Sequence, residues 1–190
     1  LVRDHFGIKP VFYTQINGAF AFSSELKTLV GIPGFNKSIN HKAMVSSVNY
    51  RWVSGNETMF NGCSKLPPAH YIIYNKETGI QLVQYWDLKE DIKSSQNENA
   101  LAQDIANAVE QSVNRHMVAD VPVSSFLSGG LDSSLISVIA KKTNTHLSTF
   151  TIGTSDKDQK VESMPDDEKY AKILADAFEL DHHVIKISPD

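Results

Sequence analysis

The interval "DLKEDIKSSQNENA", residues 87–100, divides this chain into two patterns that no single repeating architecture accommodates. Lys, Glu, Asp, Ser, Gln and Asn dominate it, and a stretch so poor in apolar residues does not build a core. It predicts a linker over 89–98, with one domain over 1–88 and another over 99–190.

Before the linker the signals are those of short antiparallel strands. "PVFYTQ" and "GAFAFSS" flank Ile16-Asn17-Gly18, and an Asn-Gly pair between such runs is a strong hairpin signal. "HYIIYN" and "IQLVQYWDL" flank Lys76-Glu77-Thr78-Gly79 in the same way. Between the hairpins, "SSELKTLVG" predicts a short helix. Ser23 or Ser24 would cap it, Leu26, Leu29 and Val30 would share a face, and Gly31 would end it.

After the linker, strands alternate with helices, which predicts parallel βαβ packing. Leu101, Ile105, Val109, Val113 and Met117 recur every four residues and give a long helix one apolar stripe. "VPVSSFL" (121–127), "LSTFTIG" and "HHVIKIS" read as strands, and "SSLISVIAKK" reads as a helix with lysines favourably placed in its last turn. Pro165, Asp166, Asp167 and Glu168 mark another helix start, with Tyr170, Leu174, Ala177 and Phe178 as its expected buried face.

The loop in "FLSGGLDSSL", residues 126–135, lies between a predicted strand and a predicted helix. Such junctions sit at the carboxyl ends of parallel strands, where α/β folds bind ligands. Glycines permit a tight turn, and the N–H groups of a helix start attract anions. The hydroxyls of Ser128, Ser133 and Ser134 add donors. Asp132 would be repelled by phosphate unless a cation lay between them, which suggests magnesium; its other reading is the N-cap of the helix. A Walker loop fails because no lysine follows before Lys141. A nucleophile elbow and a dinucleotide fingerprint fail on glycine spacing. Local chemistry leaves two readings, a phosphate cradle and a plain turn.

The residues Ser-Gly-Gly-Leu-Asp-Ser at 128–133 resemble the pyrophosphate loop of the ATP-pyrophosphatase superfamily. "HMVADVPVSSFLSGGLDSS" is especially similar to the glutamine-hydrolysing asparagine synthetase family. "RDHFGIKPVFY" and "FAFSSELKTLV" resemble the end of a class II glutaminase domain. "ETMFNGCSKLPPAHYIIYNKETG" with "YWDL" resembles the segment that joins the two domains. The resemblance implies an α/β chain: the C-terminal part of an N-terminal-nucleophile hydrolase domain, rich in antiparallel sheet, followed by the first half of a parallel-sheet, adenine-nucleotide α-hydrolase-like domain.

It also implies a chemistry. Glutamine supplies ammonia through an N-terminal cysteine, ATP adenylates aspartate with release of pyrophosphate, and ammonia attacks the acyl-adenylate. Ser128, Gly129, Gly130, Leu131, Asp132 and Ser133 would then hold pyrophosphate, Asp132 would support Mg2+, and Leu127 and Ile152 would flank the adenosine. No catalytic residue is expected here, since Leu1 stands where the family has its nucleophilic cysteine. The second synthetase motif is expected beyond residue 190. The chain alone is therefore expected to be inactive, with unfinished sheet edges that favour self-association. Two alternatives stay open: an amidotransferase acting on a sugar, peptide or lactam precursor, and an ATP-binding module without catalysis.

Bulk properties exclude some classes. A net charge of −4 gives no support to a general nucleic-acid binder. No apolar run approaches membrane-spanning length, and no stretch reads as a signal peptide. One cysteine, Cys63, permits no internal disulfide and fits a reducing, cytoplasmic setting; it is expected to be structural. His182 and His183, adjacent in a strand, point to opposite faces and make a poor metal pair. The acids at 156, 158, 162 and 166–168 read as a solvated loop and helix start. Arg3 and Asp4 are expected to pair with each other, and Trp52 and Trp86 to be core or interdomain residues.

Overall fold

The computed structural model describes residues 1–90, 97–154 and 166–187. The middle of the expected linker, the acids at 156, 158 and 162, and Pro165 lie outside the described residues. The chain forms two compact units, Leu1–Ile92 and Lys93–Asp190. It is a mixed α/β protein in which antiparallel sheets precede a parallel one.

In the first unit, β1 (Phe12–Ile16) and β2 (Ala19–Ser23) form an antiparallel hairpin, and β3 (Cys63–Lys65) pairs with the other edge of β1. Asn17 and Gly18 both take positive φ, 52° and 76°. That is the turn whose twist suits a two-residue hairpin. A second hairpin joins β4 (His70–Asn75) to β5 (Gly79–Gln84). Ile16, Leu29, Phe35 and Cys63 form the buried cluster.

The short helix α1 (Leu26–Val30) places Leu29 in that cluster, with Leu26 and Val30 packed at its margin. Its ends differ from expectation. Glu25 occupies the N-cap without a side-chain bond, while Ser23 Oγ accepts the Glu25 N–H at 3.1 Å. Gly31 ends the helix at φ −75°, right-handed, so its glycine freedom is not what stops the helix. A second helix, α2 (His41–Tyr50), and β3 carried no sequence expectation. Asn40 caps α2 by accepting the Ala43 N–H at 3.2 Å, and Ala43 is its one buried residue.

Arg3 and Asp4 do not bond each other. The Arg3 guanidinium donates to the carbonyls of Lys9, Leu66 and Gly7 at 2.9, 2.6 and 2.7 Å. The Asp4 carboxylate accepts the N–H groups of Phe6, Ile8 and Lys9 at 3.2, 2.9 and 3.2 Å. The Ile8 bond is the main cause that holds the Asp4 carboxyl below its ordinary pKa. Two adjacent charges thus fold one loop from its two kinds of backbone group. Trp86 packs edge-on against His5 and Phe6, whereas Trp52 is exposed and not a core residue.

In the second unit, α3 (Glu98–His116) leads to a sheet of order β6-β7-β8 with β6 (Ser124–Phe126), β7 (Ser148–Thr154) and β8 (Asp181–Ile187), all pairs parallel. Helix α4 (Leu131–Thr143) follows β6, and α5 (Asp167–Ala177) precedes β8. Strand β6 is shorter than the expected 121–127. Two buried clusters form the core: Val113, Ile139, Ala140 and Leu147 between α3 and α4, and Leu127, Ala171, Ala175 and Leu180 against α5.

The stripe on α3 is only half used. Val113 is buried and Val109 and Met117 pack beside it, but Leu101 and Ile105 are exposed. The buried face of α5 is Ala171, Leu174 and Ala175; Tyr170, Ala177 and Phe178 point to solvent. Gly129 of the glycine loop approaches this helix at Tyr170 and Ala171, where the inward residue is an alanine.

Candidate nucleotide site

The chain leaves β6 at Phe126 and enters α4 at Leu131, so Leu127–Gly130 form the whole connection. Leu127 anchors it. Its side chain is buried, and its N–H donates to Phe150 O at 2.8 Å. Its carbonyl accepts the Thr151 hydroxyl.

The two loop glycines have different tasks. Gly129 has φ +73°, and a β-carbon there would lie 2.4 Å from Tyr170 Cβ and 2.8 Å from Ala171 N. No side chain fits between the loop and α5. Gly130 has φ −71° and ψ 159°, ordinary extended geometry, and it is the N-cap of α4. Asp132 is therefore not the cap; it stands in the first turn, where a carboxylate still favours the helix dipole.

Serines hold the loop's shape. Ser133 Oγ lies 3.0 Å from Ser128 Oγ, accepts the Ser128 N–H at 3.3 Å and donates to Gly130 O at 3.2 Å. The first N–H groups of α4, those of Leu131, Asp132 and Ser133, have no carbonyl within the helix to bond. They lie at a helix start beside two hydroxyls, which is a donor set suited to phosphate oxygens. Leu131 turns its side chain to solvent.

A cavity of about 300 Å³ opens at the carboxyl end of β6, beside the middle of β7. Leu127, Ser128, Ser133 and Ile152 line it, together with Phe126, Phe150, Thr151 and Asp167. The structure thus brings four of the sequence-derived residues into one wall, while Gly129, Gly130, Leu131 and Asp132 build the adjoining turn. Phe126, Phe150 and Thr151 carried no site expectation, and Asp167 was expected only as a solvated helix-start acid. The rule that ligands meet the carboxyl ends of parallel strands pointed to Phe126, which ends β6; Phe150 and Thr151 lie mid-strand on β7, beside that end because Phe126 pairs with Phe150. Asp167 is on the helix start that faces those ends, a placement only the fold reveals. A separate cavity of about 330 Å³, lined by Val113, Met117, Ile136 and Leu147 among others, is mostly hydrocarbon.

The groups declined at the sequence level have definite places. His182 faces Thr149 and Thr151, with Nδ1 3.1 Å from one hydroxyl and Nε2 3.4 Å from the other. His183 stacks on Phe150 and lies 3.1 Å from Asp181. Cys63 is buried, and burial pushes its thiol pKa up, opposite to what a nucleophile needs. Among the described residues no helix is long and apolar enough to cross a membrane.

Comparison with known proteins adds the family level. Residues 1–86 match the glutamine amidotransferase domain family and residues 104–190 the asparagine synthase family. Three glutamine-hydrolysing asparagine synthetases of Bacillus subtilis (strain 168) are similar. Number 3 is 29% identical over 98% of this chain and 32% of its own length. Number 1 is 36% identical over 80% of this chain and 24% of its own length. Number 2 is 32% identical over 97% of this chain and 25% of its own length. The chain thus spans about a quarter to a third of the relatives it matches.

Proposed function

The chain belongs to the family that joins a glutamine amidotransferase domain to an asparagine synthase domain, and from this we propose that it is part of a glutamine-hydrolysing asparagine synthetase. The reaction is ATP-driven adenylation of aspartate, releasing AMP and pyrophosphate overall, with ammonia supplied by glutamine hydrolysis. The observation that carries this reading is the Ser128–Ser133 loop, held open at a helix start beside an apolar cavity.

In this reading Ser128, Gly129, Gly130, Leu131, Asp132 and Ser133 form the pyrophosphate seat. Backbone N–H groups and the two hydroxyls donate to its oxygens and stabilise the charge that develops as it leaves. Leu127 and Ile152 flank the adenosine, Leu127 through its backbone because its side chain is committed to the core. The donor set fits ATP with Mg2+: Asp132 is exposed at the loop, where its carboxylate would hold the cation. Magnesium, when bound, would neutralise phosphate charge. Glutamine and aspartate are the other small-molecule substrates, the setting is cytoplasmic, and self-association follows from exposed strand edges.

Cys63, the one thiol of these 190 residues, is buried with a raised pKa and is not assigned the glutaminase chemistry. Calorimetry with magnesium-ATP tests the site. The protein binds it, and Ser133→Ala weakens binding about tenfold, the worth of one well-placed hydrogen bond. No binding by the unsubstituted protein overturns the nucleotide reading. Transfer of ammonia to another carboxylate in preference to aspartate, in the full-length protein, would instead replace the acceptor.

A further inference from the structure

Thr149 and Thr151 lie two residues apart on β7 and share a face, and Thr149 is opposite His182 in the ladder. Both threonines are buried. A hydroxyl has one proton to give. Thr149 donates its proton to Asp181 O at 3.1 Å, and Thr151 donates its own to Leu127 O. The imidazole of His182 bridges the two oxygens from the other side.

Counting donors exposes a conflict. With both hydroxyl protons given to carbonyls, each threonine oxygen meets the ring as an acceptor. Only the imidazolium carries N–H on both nitrogens; the neutral ring carries one. Nδ1, at 3.1 Å from Thr149, has the shorter contact and keeps that proton. Nε2 then presents a lone pair to Thr151 Oγ1 at 3.4 Å, a contact satisfied only if Thr151 turns its proton from Leu127 to the ring.

We propose that Thr151 is a positioning residue for the phosphate-binding loop, and that His182 sets which partner its hydroxyl takes. The Leu127 carbonyl and the Ser128 N–H belong to one planar peptide unit, so fixing one fixes the other. Ser128 N–H is the first donor of the loop, already aimed at Ser133 Oγ. With His182 protonated, the Thr151 proton is committed to Leu127 and this peptide is locked. With His182 neutral, the proton is shared and the peptide is freer to rotate. Leu127, Ser128, Ser133 and Thr151 all line the same cavity, so the device acts where a nucleotide would sit.

The groups around the ring are His183 and Asp181 on β8, Lys172 and Asp176 on α5, and the two threonines on β7. Burial first, then the positive charges of His183 and Lys172, hold the His182 pKa below its ordinary value, opposed by a bond with the Thr149 backbone and then by Asp176. The ring is therefore neutral at neutral pH, and the locked arrangement grows as pH falls.

The importance for a nucleotide rests on the function proposed above; the relay itself needs no ligand. NMR titration of the protein into mildly acid pH, following the His182 ring and the Ser128, Gly129 and Gly130 amides, tests it. The amides follow the His182 midpoint in the unsubstituted protein, lose that response in Thr151→Val and regain it in Thr151→Ser. If Thr151→Val fails to fold, His182→Gln must abolish the response with Thr151 in place. Amides that ignore the His182 midpoint, or that follow it equally without the hydroxyl, overturn the proposal. Magnesium-ATP calorimetry forms a separate arm: Thr151→Val weakens binding about tenfold and Thr151→Ser by less than about threefold. Absence of all binding strikes the nucleotide reading and leaves the relay to be judged by the titration.

Discussion

Gly18 and Gly129 have nearly the same φ, +76° and +73°, yet they answer to different demands. Around Gly18 an added β-carbon meets nothing within 4 Å, so the turn requires only the backbone conformation. At Gly129 the same carbon collides with the backbone and Cβ of Tyr170. Gly18→Ala is expected to cost about 1 kcal/mol, the strain of a left-handed alanine. Gly129→Ala is expected to cost more than about 3 kcal/mol, because overpacking against a helix adds to the strain. Urea denaturation of both variants measures the difference, and equal costs would show that α5 yields to the loop. Both glycines were legible as turn residues. The second demand was not, since the partner helix is far along the chain. Arg3 and Asp4 show the reverse case: adjacency suggested a pair, but nearby backbone carbonyls and N–H groups satisfy both charges with better geometry.

At the scale of elements, hydrophobic periodicity located α3 but not its packing. An i, i+4 stripe states which side of a helix can be buried. How much of it is buried depends on the neighbours, and α4 covers only the end near Val113. Val113→Ala is expected to destabilise the second unit by about 2 kcal/mol through a cavity beside Ile139 and Leu147. Ile105→Ala, at an exposed position of the same stripe, is expected to change stability by less than about 0.5 kcal/mol. Thermal unfolding of the pair decides it, and a large effect at Ile105 would place a partner on that face. The same reasoning explains why α2 escaped notice. Its apolar residues Met44, Val45 and Val48 stay exposed, so it has no buried stripe to betray it, and Asn40 is its clearest signal. For α5, the start was legible from its acids, and Asp166 does accept the Lys169 N–H at 3.0 Å. Its buried face was foreseen only at Leu174: Tyr170 and Phe178 were expected inward, whereas Ala171 and Ala175 are, and Gly129 approaches the helix backbone at Tyr170 and Ala171.

For the molecule as a whole, the change of rhythm across the polar interval marked a real change of architecture, from antiparallel hairpins to a parallel sheet. The buried clusters follow that division: the one containing Cys63 draws only on residues of the first unit, and the two around Val113 and Leu127 only on the second. A unit with its own core can unfold on its own. Cys63 offers a direct reporter, because it is the single thiol, it is buried, and burial raises its pKa. A thiol reagent should therefore modify it only when the first unit opens. Leu29→Ala, which removes a neighbour from its cluster, is expected to speed labelling in native conditions by more than about tenfold, as a core deletion of 2–5 kcal/mol raises the open population. Val113→Ala is expected to leave the labelling rate within about twofold while lowering the stability of the second unit. If Val113→Ala speeds Cys63 labelling as much as Leu29→Ala does, the two units open as one, and the separation of cores does not translate into separate folding.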